Sequence, residues 1–154
     1  MKLTVVNAPE SLSRVKPATQ KPLRVGLVQT KWHSDAAEHE AKLFEGIKLA
    51  ADAGAKVVFL QELTLSRYPA DAKPEGTPSK IAEPLEGGKT HLFAAKAAKE
   101  LGVIVHASLY EKADLADGRG LNTAILVDTE GKIIARTPKL HIPVTAGYYE
   151  DKYF

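Results

Sequence analysis

Two runs of consecutive apolar residues constrain the fold of this chain more than any other feature. They lie within residues 56–62 (Lys-Val-Val-Phe-Leu-Gln-Glu) and 103–110 (Val-Ile-Val-His-Ala-Ser-Leu-Tyr). Each follows a segment whose apolar residues recur at helical spacing and which ends at a glycine, Gly54 or Gly102, as helices commonly do. Strands that are apolar at successive positions are typical of a sheet buried on both faces. The pattern therefore predicts a layered α/β sheet.

The segments around these runs extend the pattern at the start of the chain. Residues 23–30 are short, apolar and rich in β-branched residues, so they predict a first strand. Ser34 or Asp35 can cap the helix that follows this strand, and Thr90 can cap the second helix.

A hairpin and a long loop complete the predicted architecture. Residues 121–127 and 132–136 predict two strands joined by a turn at 128–131. Residues 63–88 hold four prolines and three glycines, and a loop of this length is usually functional or mobile. The order β-α-β-loop-α-β-β-β favours a mixed sheet with helices on its outer face.

The length of 154 residues fits one domain with a substantial core. Residues 1–22 contain three prolines and four basic residues but no unbroken apolar segment of the kind found in secretory signals. We therefore expect a loose N-terminal leader over 1–22 and a single domain over 23–154. No apolar run approaches the ~20 residues of a membrane span, so no membrane partner is expected.

Composition and motif spacing exclude several classes of function. A net charge of +2, with lysines interleaved among carboxylates, does not favour a nucleic-acid partner. The absence of cysteine excludes disulfides and thiolate metal sites. The five histidines show no metal-ligand spacing, and the chain has neither a glycine-rich phosphate loop nor a Gly-x-Ser-x-Gly elbow. These observations support neither a metal site nor a dinucleotide or phosphate site.

Two ionisable residues follow the ends of predicted strands. Glu62 ends the strand at 56–62, and Lys139 follows the last strand between Pro138 and Pro143, which stiffen the connector. Ligands gather outside the carboxyl ends of strands in open α/β sheets. Glu62 and Lys139 are therefore either an acid–base pair or a salt bridge that closes the sheet, and spacing alone favours neither.

Two further residues have both a structural and a functional interpretation. His106 lies inside a predicted strand without a partner motif, so a hydrogen-bonded core histidine is favoured over a catalytic one. Tyr68 lies in the long loop and can contact a substrate, but a packed loop tyrosine is favoured.

Five segments in order resemble the N-terminal half of the nitrilase superfamily, the carbon–nitrogen hydrolases. The final segment, Gly147 to Phe154, is most similar to the branch that hydrolyses N-carbamoyl compounds, with the N-carbamoylputrescine amidohydrolases as the nearest subtype. The five segments are Val25-Gly26-Leu27-Val28-Gln29, Phe59-Leu60-Gln61-Glu62-Leu63, Ala107-Ser108-Leu109-Tyr110-Glu111, Leu121-Asn122-Thr123-Ala124 and Lys139-Leu140-His141-Ile142-Pro143.

The resemblance implies a Glu-Lys-Cys mechanism and assigns three residues of this chain to it. Glu62 matches the general base, Lys139 the cation that stabilises the oxyanion, and Glu150 the second glutamate that orients substrate and lysine. The resemblance also implies one half of a four-layer αββα sandwich. It further implies a small ureide or amide substrate from polyamine metabolism, no cofactor, and a cytoplasmic homo-oligomer in the complete protein.

One departure from the family pattern is decisive for function. The family's nucleophilic cysteine lies in the second half of its fold, and this chain has no cysteine. We expect a truncated or split member that is inactive alone as a carbon–nitrogen hydrolase. The alternatives are an amidase of another branch, such as an ω-amidase or aliphatic amidase, and a non-catalytic scaffold or partner protein that has lost its nucleophile.

Overall fold

A five-stranded mixed sheet organises the fold. The computed structural model describes residues 1–7, 12, 13, 16 and 19–154. The strands are β1 (Val25–Leu27), β2 (Val57–Phe59), β3 (Ile104–Glu111), β4 (Leu121–Val127) and β5 (Ile133–Pro138). The α-helices are α1 (Ala36–Asp52), α2 (Lys89–Leu101) and the short α3 (Glu150–Tyr153).

The strands lie side by side in chain order, from β1 at one edge to β5 at the other. The pairs β1–β2 and β2–β3 are parallel, whereas β3–β4 and β4–β5 are antiparallel. One end of the sheet therefore holds the beginning of β4 and the carboxyl ends of the other four strands. This topology confirms the predicted order of elements and the mixed sheet.

Helices α1 and α2 cover one face of this sheet. The side chain of Asp35 caps α1, accepting a hydrogen bond of 2.7 Å from the backbone N–H of Glu38. The buried face of α1 includes Leu43 and Ile47, both with no exposed surface. Burying such a side chain contributes roughly 1.5–3 kcal/mol, so helix packing on the sheet supplies the main core.

The predicted cap of α2 is wrong. Gly88 is the N-cap residue, and Thr90 lies in the first turn with 1% of its surface exposed. The backbone N–H and the hydroxyl of Thr90 both donate to the carboxylate of Glu83, at 2.8 and 2.7 Å. A carboxylate seven residues upstream thus satisfies a donor of the helix terminus. The predicted end of the helix is confirmed, since Gly102 adopts the left-handed conformation with φ of 64°.

The opposite face of the sheet, which we call the open face, has no helix layer among the described residues. Val58 on the helix-covered face has no exposed surface, whereas Val25 and Leu27 on the open face are 47% and 79% exposed. Burial alternates along β2, so the prediction of burial on both faces is wrong for this strand, whereas every residue from Ala107 to Glu111 of β3 is buried. Consecutive apolar residues indicate two sides to be covered, and the described helices cover one.

A second, smaller core forms where the long loop meets the end of the chain. Residues 63–88 contain two short 3₁₀ helices, Pro69–Asp71 and Pro78–Ile81. The backbone N–H of Tyr149 donates to the carbonyl of Ala70 at 2.8 Å. Around this contact five side chains are buried together: Leu63, Ala70, Tyr110, Tyr153 and Phe154. The loop is therefore packed against the final residues.

The predicted leader over residues 1–22 falls in part on residues 8–11, 14, 15, 17 and 18, which lie outside the described residues. The division at residue 22 stays a prediction. None of the helices in the described part of the chain combines the length and apolarity needed to cross a bilayer.

Candidate active site

Ionisable and polar side chains converge on the open face, at the end of the sheet where β2 and β5 stop. They line a pocket of about 290 Å³. The lining residues are Glu62, His106, Ser108, Asn122, Ala124, Thr137 and Lys139. The structure therefore brings Glu62 and Lys139 together, although 77 positions separate them in the sequence.

A strained turn fixed to β3 holds Glu62 in place. Leu63, the next residue, has a positive φ of 49°, which is rare for a residue other than glycine. Its burial at 1% exposure stabilises this conformation. Thr64 then bonds to Ser108 twice, from its N–H to the Ser108 carbonyl at 2.8 Å and from the Ser108 N–H to its hydroxyl at 2.9 Å. Backbone strain of this kind concentrates at functional sites.

A buried histidine supports the same turn from the helix-covered side. The Nε2 atom of His39 on α1 lies 2.9 Å from the carbonyl oxygen of Thr64. The Nδ1 atom of His39 accepts a bond from the backbone N–H of His33 at 3.4 Å. Since Nδ1 is the acceptor, Nε2 carries the proton and donates to Thr64. The segment after Glu62 is thus anchored to both β3 and α1.

Lys139 leaves the sheet at the end of β5. Strand β5 is an edge strand, so Pro138 is tolerated as its last residue. The backbone N–H of Lys139 donates to the carbonyl of Asn122 at 2.8 Å, which continues the pairing with β4. Its Nζ atom lies 3.1 Å from Oε1 of Glu62, with the two side chains 34% and 48% exposed. The residues form an ion pair at the mouth of the pocket.

Glu150 lies at the beginning of α3 and is 8% exposed. The hydroxyl of Tyr68 donates to Oε1 of Glu150. Burial raises the pKa of Tyr68 well above its ordinary value, and the hydrogen bond to Glu150 and the nearby charges of Glu150 and Glu62 act in the same direction. Tyr68 therefore remains a protonated donor. It is a packed loop tyrosine, as predicted. Its hydroxyl bonds to Glu150, and the charge of Glu62 also acts on it.

The structure does not join Glu150 to Lys139 directly. No hydrogen bond or ion pair links these two side chains in the described part of the chain, and Glu62 is the ion-pair partner of Lys139. Of the three residues implied by the resemblance, Glu62 and Lys139 are thus in contact. Glu150 lies in a separate pair with Tyr68.

His106 departs in part from the predicted hydrogen-bonded core histidine. Its ring packs against Phe59 with centroids 5.2 Å apart and lines the pocket on the open face. Its Nδ1 atom is buried without a hydrogen-bond partner among the described residues. Burial lowers the pKa of His106, so the neutral imidazole is favoured.

Two polar residues of the pocket were not singled out from the sequence as site residues. Asn122 donates from Nδ2 to Oε1 of Glu62 at 2.6 Å, and Ser108 bonds to Thr64. The signal that could have found them is the alternation of strand residues. Positions 106 and 108 share a face of β3, and 122 and 124 share the same face of β4.

The described residues contain no group of three histidine, aspartate or glutamate side chains that could hold a metal ion. What the arrangement offers is a carboxylate and an ammonium at one opening, each fixed by a neighbouring strand. Such a pair can transfer a proton and stabilise a developing negative charge.

Comparison with known proteins identifies relatives of this chain. The family model for carbon–nitrogen hydrolases matches residues 24–154. An N-carbamoylputrescine amidase from Arabidopsis thaliana is 31% identical over 130 residues, covering 84% of this chain and 42% of the relative. A citrullinase from Francisella tularensis is 29% identical over 133 residues, covering 86% and 45%.

A solved structure shows the same fold. The carbon–nitrogen hydrolase from Helicobacter pylori G27 superposes with a TM-score of 0.72 at 25% identity, covering 86% of this chain and 44% of that one. The mixed sheet and its helices thus correspond to about half of a nitrilase-type αββα sandwich, as predicted. The chain spans less than half the length of these relatives. On the family match, the relatives and the fold, the chain belongs to the carbon–nitrogen hydrolase family.

Proposed function

We propose that this chain supplies the base and the cation of a thiol-dependent carbon–nitrogen hydrolase that acts on an N-carbamoyl amine. The observation that carries the proposal is the contact between Lys139 and Glu62 at the mouth of a pocket. The pair lies where strand ends meet, the position at which α/β sheets bind ligands.

Glu62 is the general base in this proposal. Both hydrogen bonds that the described residues make to its carboxylate end on Oε1, from Asn122 and from Lys139. The other oxygen, Oε2, is thereby left to accept a proton from a thiol. A thiol needs such a base because the thiolate is the nucleophile.

Lys139 stabilises the oxyanion of the tetrahedral intermediate. Its backbone is held by Asn122 and its ammonium by Glu62, so little reorganisation is needed when charge develops on the substrate oxygen. One well-placed donor of this kind contributes roughly 2.7–4 kcal/mol to transition-state stabilisation. Glu150, whose carboxylate accepts the hydroxyl of Tyr68, is in this proposal the second glutamate that orients substrate and lysine.

The nucleophile comes from polypeptide outside residues 1–154, since these residues contain no cysteine. The open face supports this assignment, because Leu27 is 79% exposed on the face that no described helix covers. In the proposal a nucleophile-bearing segment covers this face and brings its thiol to Glu62. The 154-residue chain alone is then inactive.

The relatives support the proposed substrate class. N-carbamoylputrescine and citrulline, for which two relatives are named, both carry a ureido group. We therefore place an N-carbamoyl amine of polyamine metabolism ahead of a simple amide, with amine, ammonia and carbon dioxide as products. As the resemblance implies, the proposal includes a homo-oligomeric cytoplasmic enzyme.

The test compares ammonia release from N-carbamoylputrescine and from simple amides. The purified chain, verified by intact mass, should release none. A longer polypeptide that contains these residues and a nucleophile-bearing second half should be active on the ureide. In that polypeptide, Glu62→Gln or Lys139→Met should lower kcat by about 10²–10³.

A matched control is Lys132→Met, which removes an exposed lysine of the hairpin turn and should leave kcat unchanged. Turnover by the chain alone, or full activity of the Glu62→Gln variant, would contradict the proposal.

One observation, the absence of cysteine from the chain, favours a second candidate function, that of a non-catalytic partner protein. Inactivity of the longer polypeptide on every ureide and amide would favour that candidate.

A further inference from the structure

Asn122 contacts both members of the Glu62–Lys139 pair. It lies near the beginning of β4 and is 5% exposed. Its side-chain Nδ2 donates to Oε1 of Glu62 at 2.6 Å. Its backbone carbonyl accepts the N–H of Lys139 at 2.8 Å. One residue thus holds the carboxylate of the pair through its side chain and the backbone of the lysine through its carbonyl.

The ion pair alone is poorly suited to fix Glu62. Both side chains are long and partly exposed, at 34% for Lys139 and 48% for Glu62. Holding such side chains in one geometry costs conformational entropy, and water screens their attraction. An amide from a buried strand residue has fewer rotatable bonds to immobilise, so it is the better anchor for the carboxylate.

The chemistry of the amide also suits the proposed base. An asparagine side chain donates a hydrogen bond without adding charge, and its NH₂ group cannot accept the proton that a base must take. Because the side chains of Asn122 and Lys139 both donate to Oε1 of Glu62, they leave its Oε2 atom without a hydrogen bond among the described residues. An aspartate at this position would instead place a second carboxylate against Glu62.

We infer that Asn122 is a positioning residue that fixes the carboxylate of Glu62 and thereby holds the ammonium of Lys139. The inference rests on the proposed function for its catalytic meaning, but its physical content is a coupling among three side chains. That coupling is measurable in the 154-residue chain without any turnover.

The test measures how fast Lys139 is acylated by limiting N-hydroxysuccinimidyl acetate, with peptide mass spectrometry as the readout. Asn122→Ala should raise the rate at Lys139 roughly two- to fivefold, the range that corresponds to releasing a partly exposed ion pair. Glu62→Gln should raise it by a similar factor. In the Glu62→Gln background, Asn122→Ala should add no further increase, because Asn122 acts through Glu62.

Two controls separate positioning from general loosening of the fold. Ile125→Val removes one methyl group from β4 on the helix-covered face and should leave labelling of Lys139 unchanged. Lys132, exposed in the hairpin turn, is the internal reference in every sample. If circular dichroism shows that Asn122→Ala is unfolded, Asn122→Leu replaces it, because leucine has the same branched arrangement of non-hydrogen atoms without a hydrogen-bond donor.

The inference is overturned if Lys139 is acylated in a folded Asn122 variant at the same rate as in the wild type. It is equally overturned if the increases in the acylation rate of Lys139 caused by the Asn122 and Glu62 substitutions multiply in the double variant. Because the assay needs no nucleophile, a positive result together with a catalytically inactive longer polypeptide would retain the role of Asn122 and reject the proposed function.

Discussion

The two faces of the sheet differ in how far their contacts are completed within this chain. On the helix-covered face, side chains such as Leu43 and Val58 have no exposed surface. On the open face, Leu27 is 79% exposed and the buried Nδ1 of His106 lacks a partner within the described residues. The stability of the domain therefore resides on the covered face, while the residues proposed for chemistry lie on the open one.

The largest expected effect contrasts the same substitution on the two faces. Leu43→Ala opens a cavity in the covered face and should lower the free energy of unfolding by about 2–5 kcal/mol. Leu27→Ala, at a mostly exposed site, should change it by less than about 0.5 kcal/mol. Urea denaturation of both variants measures the difference. Equal losses would mean that the open face is covered in solution.

A smaller loss is expected where the long loop meets the chain's last residues. Tyr68→Phe removes the hydroxyl that donates to the buried carboxylate of Glu150, which should cost about 1–3 kcal/mol of unfolding free energy. Tyr148→Phe is the matched control, since this tyrosine is 50% exposed and meets Tyr68 through its ring edge. Urea denaturation of both variants is the measurement, and an equal effect in both would contradict the assigned bond.

These contacts also show what the sequence could and could not predict. The meeting of Glu62 and Lys139 was predictable, because parallel strands end on one side of a sheet and a hairpin returns there. The bond from Tyr68 to Glu150 joins residues 82 positions apart through an irregular loop, which no local periodicity encodes. The Glu83 carboxylate that replaced the predicted Thr90 cap is likewise a contact between a loop and a helix.

Local periodicity could not predict the exposure of β1 and β2 on the open face, for a different reason. Consecutive apolar residues in 56–62 report that both sides of a strand are suited to burial, and they do not report which polypeptide covers each side. The family resemblance supplied the missing half of the sandwich, which periodicity alone could not. Asn122 was overlooked as a site residue because its role depends on the register between β3, β4 and β5.

The third prediction concerns pH and the open face. Burial lowers the pKa of His106, so just below the ordinary histidine value of 6.5 the folded chain binds fewer protons than the unfolded chain. Stability contributed by His106 is therefore present above that value and is lost as the pH falls through the lowered pKa. Replacing His106 with leucine should make the decline in unfolding free energy between about pH 7 and pH 5 shallower. Urea denaturation across this range tests the slope, and an unchanged slope would contradict the shift.

The smallest expected effect is at the proposed catalytic pair itself. Lys139 and Glu62 are 34% and 48% exposed, and a partly exposed ion pair contributes about 0–1 kcal/mol to stability because water screens it. Lys139→Met should therefore change the free energy of unfolding by less than about 1 kcal/mol, well below the loss from Leu43→Ala.

The measurement is urea denaturation of Lys139→Met beside Lys132→Met, which breaks an exposed pair with Glu130. Similar small changes in both would show that the Lys139–Glu62 pair is not needed to hold the sheet together, as expected if its role is chemical. A loss of several kcal/mol at Lys139 alone would instead favour a structural salt bridge that closes the end of the sheet.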